Sequence, residues 1–149
     1  MNQATRATES IRKSKIMGGV IPYLSLAQDV ETAIRFYEEA FDAVLVDEPA
    51  RDQDGAILNA TLAINEGAFM LMDHPKDSRA APAVGGKGVI LQLVVANGDQ
   101  WWTRATNAGC EITEAFDQKF WGDRYGRLRD PFGQDWAILE PSAERRAES

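Results

Sequence analysis

One cysteine and one histidine are all that this chain of 149 residues has of either. Cys110 alone can form no internal disulfide and no paired-cysteine motif, which suits a reducing compartment and a cytoplasmic location. Placed after a glycine where a helix gives way to a strand, it reads as a packing residue rather than a catalytic thiol. No apolar run approaches the length of a membrane span, so no membrane partner is expected. Positive charge is in short supply too. Lys and Arg number 16 against 23 Asp and Glu, a net charge of -7. The basic residues are scattered among acidic ones, which excludes nucleic acid as a partner, because neutralising phosphates requires clustered cations.

What is present is enough apolar sequence, 44% of residues, for one core. Residues 1–19 are polar and basic, lack the apolar centre of a secretory signal, and read as a flexible or packing arm. A single domain is expected over 20–141, followed by a charged tail over 142–149.

Within that domain the hydrophobic period switches repeatedly. Val20–Ala27 is apolar and of strand length, with Pro22 near its start. Val30, Ala33, Ile34, Tyr37 and Phe41 then recur at helical spacing, with Asp29 placed to cap the helix. Ala43–Asp47 predicts a short strand, Pro49–Gly55 a polar loop and Ile57–Ile64 a strand with one buried face. Asn65–Glu66–Gly67 predicts a turn, and Ala68–Met72 a further strand ending at Asp73–His74–Pro75. Module one, 20–75, is therefore β-α-β-β-β. Residues 76–87 are rich in Gly, Pro and small side chains and read as a linker.

The order then repeats in module two, 88–141, at an offset of about 68 residues. Val89–Val95 predicts a strand, Gly98–Ala108 a helix closed by Gly109, and Glu111–Phe116 a strand. Phe120–Leu139 supplies the last two strands as a hairpin around Asp130–Pro131–Phe132–Gly133. Pro131 pre-sets φ there, and Gly133 falls where a positive φ is often needed. The fold class is α+β. Each module is an open sheet with one helix, and two such sheets facing each other would enclose a cleft.

The tandem modules, the opening PYLSLAQDVETAIRFYEEAF and the closing WGDRYGRLRDPFGQDWAIL resemble the glyoxalase, bleomycin-resistance and extradiol-dioxygenase proteins, the vicinal oxygen chelate superfamily. The closing motif is most similar to its PhnB-like branch. The resemblance implies paired U-shaped mixed sheets around the cleft, and assembly as a homodimer. Enzymes of the superfamily hold a divalent metal in the cleft, using His, Glu or Gln ligands that act on vicinal oxygens of the substrate. Carried over position by position, those ligands fall at Pro22, Met70, Ile90 and Ala137, none of which suits a hard or borderline cation. Gln134 stands where close relatives often carry His. No metal or other cofactor is therefore expected.

Strand parity places Leu24, Leu26, Met70 and Met72 toward the cleft from module one. From module two it adds Ile90, Gln92, Val94, Ala137 and Leu139. Phe120, Trp121, Arg124 and Tyr125 begin the final hairpin, where rings and a cation could close over a flat or anionic ligand. The expected ligand contacts are thus Leu24, Met70, Met72, Ile90, Gln92, Trp121, Arg124, Tyr125 and Ala137, with no catalytic residue assigned. His74 could serve as a general base, but as a loop residue it reads first as a solvent-exposed strand end. The expected function is metal-free binding of an aromatic or amphipathic small molecule, as in bleomycin-resistance proteins. One alternative is a lyase, isomerase or dioxygenase-type enzyme, with an unrecognised metal site or with Gln92, His74 or an Arg acting without metal. The other is a structural or regulatory homologue with a filled cleft. Adjacent Trp101 and Trp102 cannot share one helix face, which calls for cover by the arm or by a second subunit.

Overall fold

A computed structural model describes residues 16–27, 29–75 and 88–148. Most of the expected arm and the whole 76–87 linker lie outside the described residues. The chain divides into two compact units that follow the two modules, except that Glu39–Phe41 group with the second unit. Each is described by itself.

In the first unit, β1 (Tyr23–Leu26) leads into α1 (Val30–Phe41), followed by β2 (Val44–Leu45), β3 (Ala50–Arg51), β4 (Ile57–Ile64) and β5 (Gly67–Asp73). The sheet order is β1-β5-β4-β2, with β3 paired to β4. β1 is shorter than predicted, since Pro22 has no N–H for the ladder and contributes only its carbonyl, which accepts from Met70 N. β3 lies inside the predicted polar loop; two residues carry no readable alternation. Asn65 and Glu66 both adopt positive φ, at 45° and 66°, joining Ile64 to its partner Gly67 across a tight hairpin.

Asp29 caps α1 as predicted, accepting from Glu31 N and from Thr32 Oγ1. The buried residues of α1 include Val30, Ala33, Tyr37 and Phe41, and the Tyr37 ring meets Phe69 of β5 edge-on at 5.1 Å. Asp73, the last residue of β5, reaches back across the unit. One carboxylate oxygen accepts from Val30 N at the start of α1 and the other from Ile57 N at the start of β4.

The second unit contains β6 (Ile90–Val94), α2 (Gly98–Ala108), β7 (Glu111–Gln118), β8 (Arg124–Arg129), β9 (Asp135–Glu140) and α3 (Ala143–Ala147). Its sheet order is β6-β9-β8-β7, with β6 and β9 parallel. Gly109 ends α2 at φ 118°, with its N–H returned to the last turn. Glu140, at the end of β9, accepts from Gly98 N at 2.8 Å. That repeats the role of Asp73 in the first unit.

The packing of α2 explains its paired tryptophans. Trp102 stacks on Phe116 at 5.4 Å, while Trp101 Nε1 donates to Asn97 Oδ1 at the helix start. Trp102 approaches β8 so closely that a Cβ on Gly126 would come within 2.7 Å of both the indole and the Phe116 backbone. Only glycine fits there.

The 142–149 tail is not simply a charged end. Ser142 caps α3, and buried Asp123 accepts from Ser142 N and pairs with Arg145 at 3.1 Å. A run of five residues rich in charge gives no sequence signal for this, because the anchor lies 19 positions upstream.

The DPFG turn is set by Asp130. Its Oδ1 accepts from Phe132 N and Gln134 N, and its Oδ2 from the indole of Trp136, which is 1% exposed. In Asp130→Asn the amide would confront either the indole N–H or the turn amides with a second donor. The variant is expected to lose about 2 kcal/mol or more of stability, read as a lowered urea midpoint with unchanged slope.

Candidate functional site

Cross-strand partners share a face of a sheet, and successive residues alternate between faces. On the first sheet, Tyr23 pairs with Met70 and Ser25 with Met72, whereas Leu24 pairs with Leu71. Leu24 and Leu26 are therefore on the buried face with Leu71, opposite Met70 and Met72. This corrects the expected contact set. The alternation in YLSL sets Leu24 and Leu26 on one face, but which residues of β5 share that face depends on the register between the strands, which β1 alone does not carry.

His74 is also not a solvent cap. It is half-buried, and its Nδ1 lies 2.8 Å from Ser25 Oγ, on the same face as Met72. A hollow of about 530 Å³ borders it, lined by Met72, Leu58 and several aspartates. Three of the four carboxylates are engaged locally. Asp29 caps α1, Asp52 accepts from Asp54 N and Ala56 N, and Asp73 accepts from Val30 N and Ile57 N.

The second sheet has one core face and one open face. Leu93, Leu128, Trp136 and Ile138 are buried on the first. The open face is organised in rows across β8, β9 and β6. One row is Tyr125, Leu139 and Val94; the next is Arg127, Ala137 and Gln92; the third is Arg129, Asp135 and Ile90. Gln92, Tyr125, Ile90 and Ala137 are thus brought together, and the neighbour of Ala137 on β6 is Gln92 rather than Ile90. Trp121 joins them through its ring, 6.0 Å from that of Tyr125.

Arg124 does not join them. It lies on the helix side, bidentate to Asp99 at 2.7 and 3.0 Å, with Glu140 at 3.7 Å and its guanidinium 4.4 Å above Phe116. That hydrogen-bonded pairing lowers the Asp99 carboxyl and raises Arg124. Gln134 is buried, and its amide donates to the carbonyls of Val89 and Asp135, a structural task. Sequence reasoning missed Arg127 and Arg129. Their signal was legible: in Tyr125–Gly126–Arg127–Leu128–Arg129 both arginines share the parity of Tyr125.

Residues 20–138 match the family model described as Glyoxalase/Bleomycin resistance protein/Dioxygenase superfamily. The chain belongs to this superfamily. An uncharacterized protein of Mycobacterium bovis is 37% identical over 128 residues, covering 83% of each chain. Among solved structures, a PhnB protein of Bacillus cereus superposes with TM-score 0.66 at 17% identity, covering 83% of this chain and all of that one. A glyoxalase-related enzyme of Fulvimarina pelagi gives 0.64 at 19%, over 85% and 89% of the two chains. These structures share the fold.

The metal of superfamily enzymes does not fit the donors found at the corresponding positions. Of Pro22, Met70, Ile90 and Ala137 only Met70 carries a donor, a thioether, and the cross-strand neighbours Tyr23 of Met70 and Gln92 of Ala137 add a phenol and an amide. Among the described residues, no three His, Cys, Asp or Glu side chains gather where they could hold an ion. None of the helices among the described residues is long and apolar enough to cross a membrane.

Cys110 is buried, which pushes its thiol up from 9.0 to about 12, with Asp130 adding a smaller repulsion. The folded state therefore keeps a proton that the unfolded chain releases, so this group lowers stability as pH rises from about 9 toward 12. Thermal melts between pH 8 and 10 should decline more steeply for the wild type than for Cys110→Ala. Iodoacetamide should label Cys110 far faster in urea than in the folded protein.

Proposed function

We propose that this superfamily member is a metal-free small-molecule-binding protein that takes an aromatic or amphipathic ligand against the open face of its second sheet. The observation that carries the reading is apolar surface left in water. Ile90, Val94 and Trp121 are 38%, 49% and 43% exposed, beside the amide of Gln92 and the ring of Tyr125. A sheet face that clusters such side chains while its reverse face buries Leu93, Leu128, Trp136 and Ile138 has the character of a contact surface. A lyase, isomerase or dioxygenase dependent on a bound divalent metal finds less support, since the matching positions offer no set of hard donors.

The reading predicts that protein purified without chelator carries no stoichiometric Zn, Ni, Mn or Fe by elemental analysis. It also predicts a co-purified or added aromatic compound that native mass spectrometry detects and that quenches Trp121 fluorescence, a response lost in Trp121→Ala. A stoichiometric metal whose removal abolishes an activity would overturn it.

A homodimer belongs to the same reading, because Tyr23, Val44 and Leu58 of the first unit are also exposed, at 46%, 37% and 48%. Light scattering at micromolar concentration should give twice the chain mass; a monomeric mass would remove this part.

A further inference from the structure

We infer that the ligand of the open second-sheet face is a carboxylate with a short rigid apolar body, its carboxylate held between Arg127 and Gln92. This rests on the binding reading above and specifies its ligand class. The argument begins with charge. In a chain of net charge -7, an arginine on a sheet surface would be expected to find an acidic partner. The other two arginines of β8 have done so, Arg124 with Asp99 and Arg129 with Asp135 at 2.9 Å.

Arg127 has not. Among the described residues its one side-chain hydrogen bond runs from Nε to Tyr125 Oη at 3.0 Å, and the guanidinium carbon lies 6.0 Å from the centre of the Tyr125 ring. Glu114, its cross-strand partner on β7, and Asp135 favour its charge, yet Glu114 pairs instead with Lys119 at 3.9 Å and Asp135 with Arg129. That hydrogen bond orients the guanidinium and leaves both Nη groups available as a fork suited to a carboxylate.

The rest of the row fits the same ligand. Arg127 and Gln92 both flank Ala137, whose buried methyl is the shortest side chain between them. Two strand spacings separate them, roughly 10 Å between Cα atoms, so their long side chains can converge on one anion from opposite sides. Gln92 is exposed and has no side-chain hydrogen bond among the described residues, so its amide N–H₂ can serve as the second donor.

The next row along the strands, roughly 6–7 Å away, is Tyr125, Leu139 and Val94, with Trp121 against Tyr125. A carboxylate on the polar row therefore places one or two fused rings on the apolar row. On the opposite side, Arg129 is already neutralised by Asp135, so only one end of the ligand is read as an anion.

The test compares 2-naphthoate with its neutral analogue 2-naphthalenemethanol by isothermal titration calorimetry on the full chain. Naphthoate should bind at least tenfold more tightly to the wild type. Arg127→Gln should abolish that preference while leaving the neutral compound's affinity unchanged, Gln92→Ala should reduce it in part, and Arg129→Gln should leave it intact. Arg127 is exposed, so its variants are expected to fold, and circular dichroism with matched melting temperatures checks this. Arg127→Lys, which keeps the charge but loses the fork, should fall between wild type and Arg127→Gln.

Equal affinity for both compounds in the wild type, or naphthoate binding unaffected by Arg127→Gln, overturns the inference while the binding reading stands. If neither compound binds and native mass spectrometry finds no co-purified ligand, both fail. A dimer that excludes naphthoate and falls apart in Arg127→Gln would assign the cation to a carboxylate of a second copy and overturn the small-molecule occupant.

Discussion

The second unit depends on a single buried carboxylate. Asp130 gathers two turn amides and the Trp136 indole, so the direction of β9 out of the turn and the seating of the largest core side chain are fixed by one group. Register follows from that. With Trp136 turned inward, Ala137 must face outward, and parallel pairing with β6 brings Gln92 beside it. On the antiparallel side the same constraint sets Arg127 across from Ala137. A slip of one residue would bury arginines and expose Trp136, at a cost no single hydrogen bond could offset.

Much of this arrangement was legible in sequence. The helix over Gly98–Ala108, its Gly109 stop, the strand over Ile57–Ile64 and the hairpin about Asp130 follow from period and turn chemistry, which act locally. Superfamily membership followed from the same residues. What stayed hidden depends on partners distant in sequence. Leu24 turned inward because Leu71 lies beside it, and nothing within YLSL says so. Arg124 has the parity of Gly126 and Leu128 and so faces the helix side, but that Asp99, 25 residues upstream, meets it there is not written in β8. His74 gained a partner in Ser25 across 49 residues. The parity of β8 was readable, and attention to its aromatics alone obscured the arginines between them.

The small and aromatic residues of the second unit divide the work between its faces. Gly126 gives up a side chain so that Trp102 can lie on β8, which thickens the core side. Tyr125 and Arg127, its neighbours in sequence, then project from the other side and bond to each other. Close packing on one face thereby fixes the backbone that presents the polar row on the opposite one.

Asp73 and Glu140 each tie the last long strand of a unit to the first turn of its helix. Each module is thus fastened end to beginning by one acid, much as a hoop is closed by a clasp. Fraying of the final strand would uncap the helix, and fraying of the helix start would strand a half-buried carboxylate, so the two ends open together. Terminal loosening, the usual first step of local unfolding, becomes cooperative with loss of the whole unit. Because the acid recurs at the matching place in both modules, the repeat has preserved a mode of closure even where little sequence identity remains.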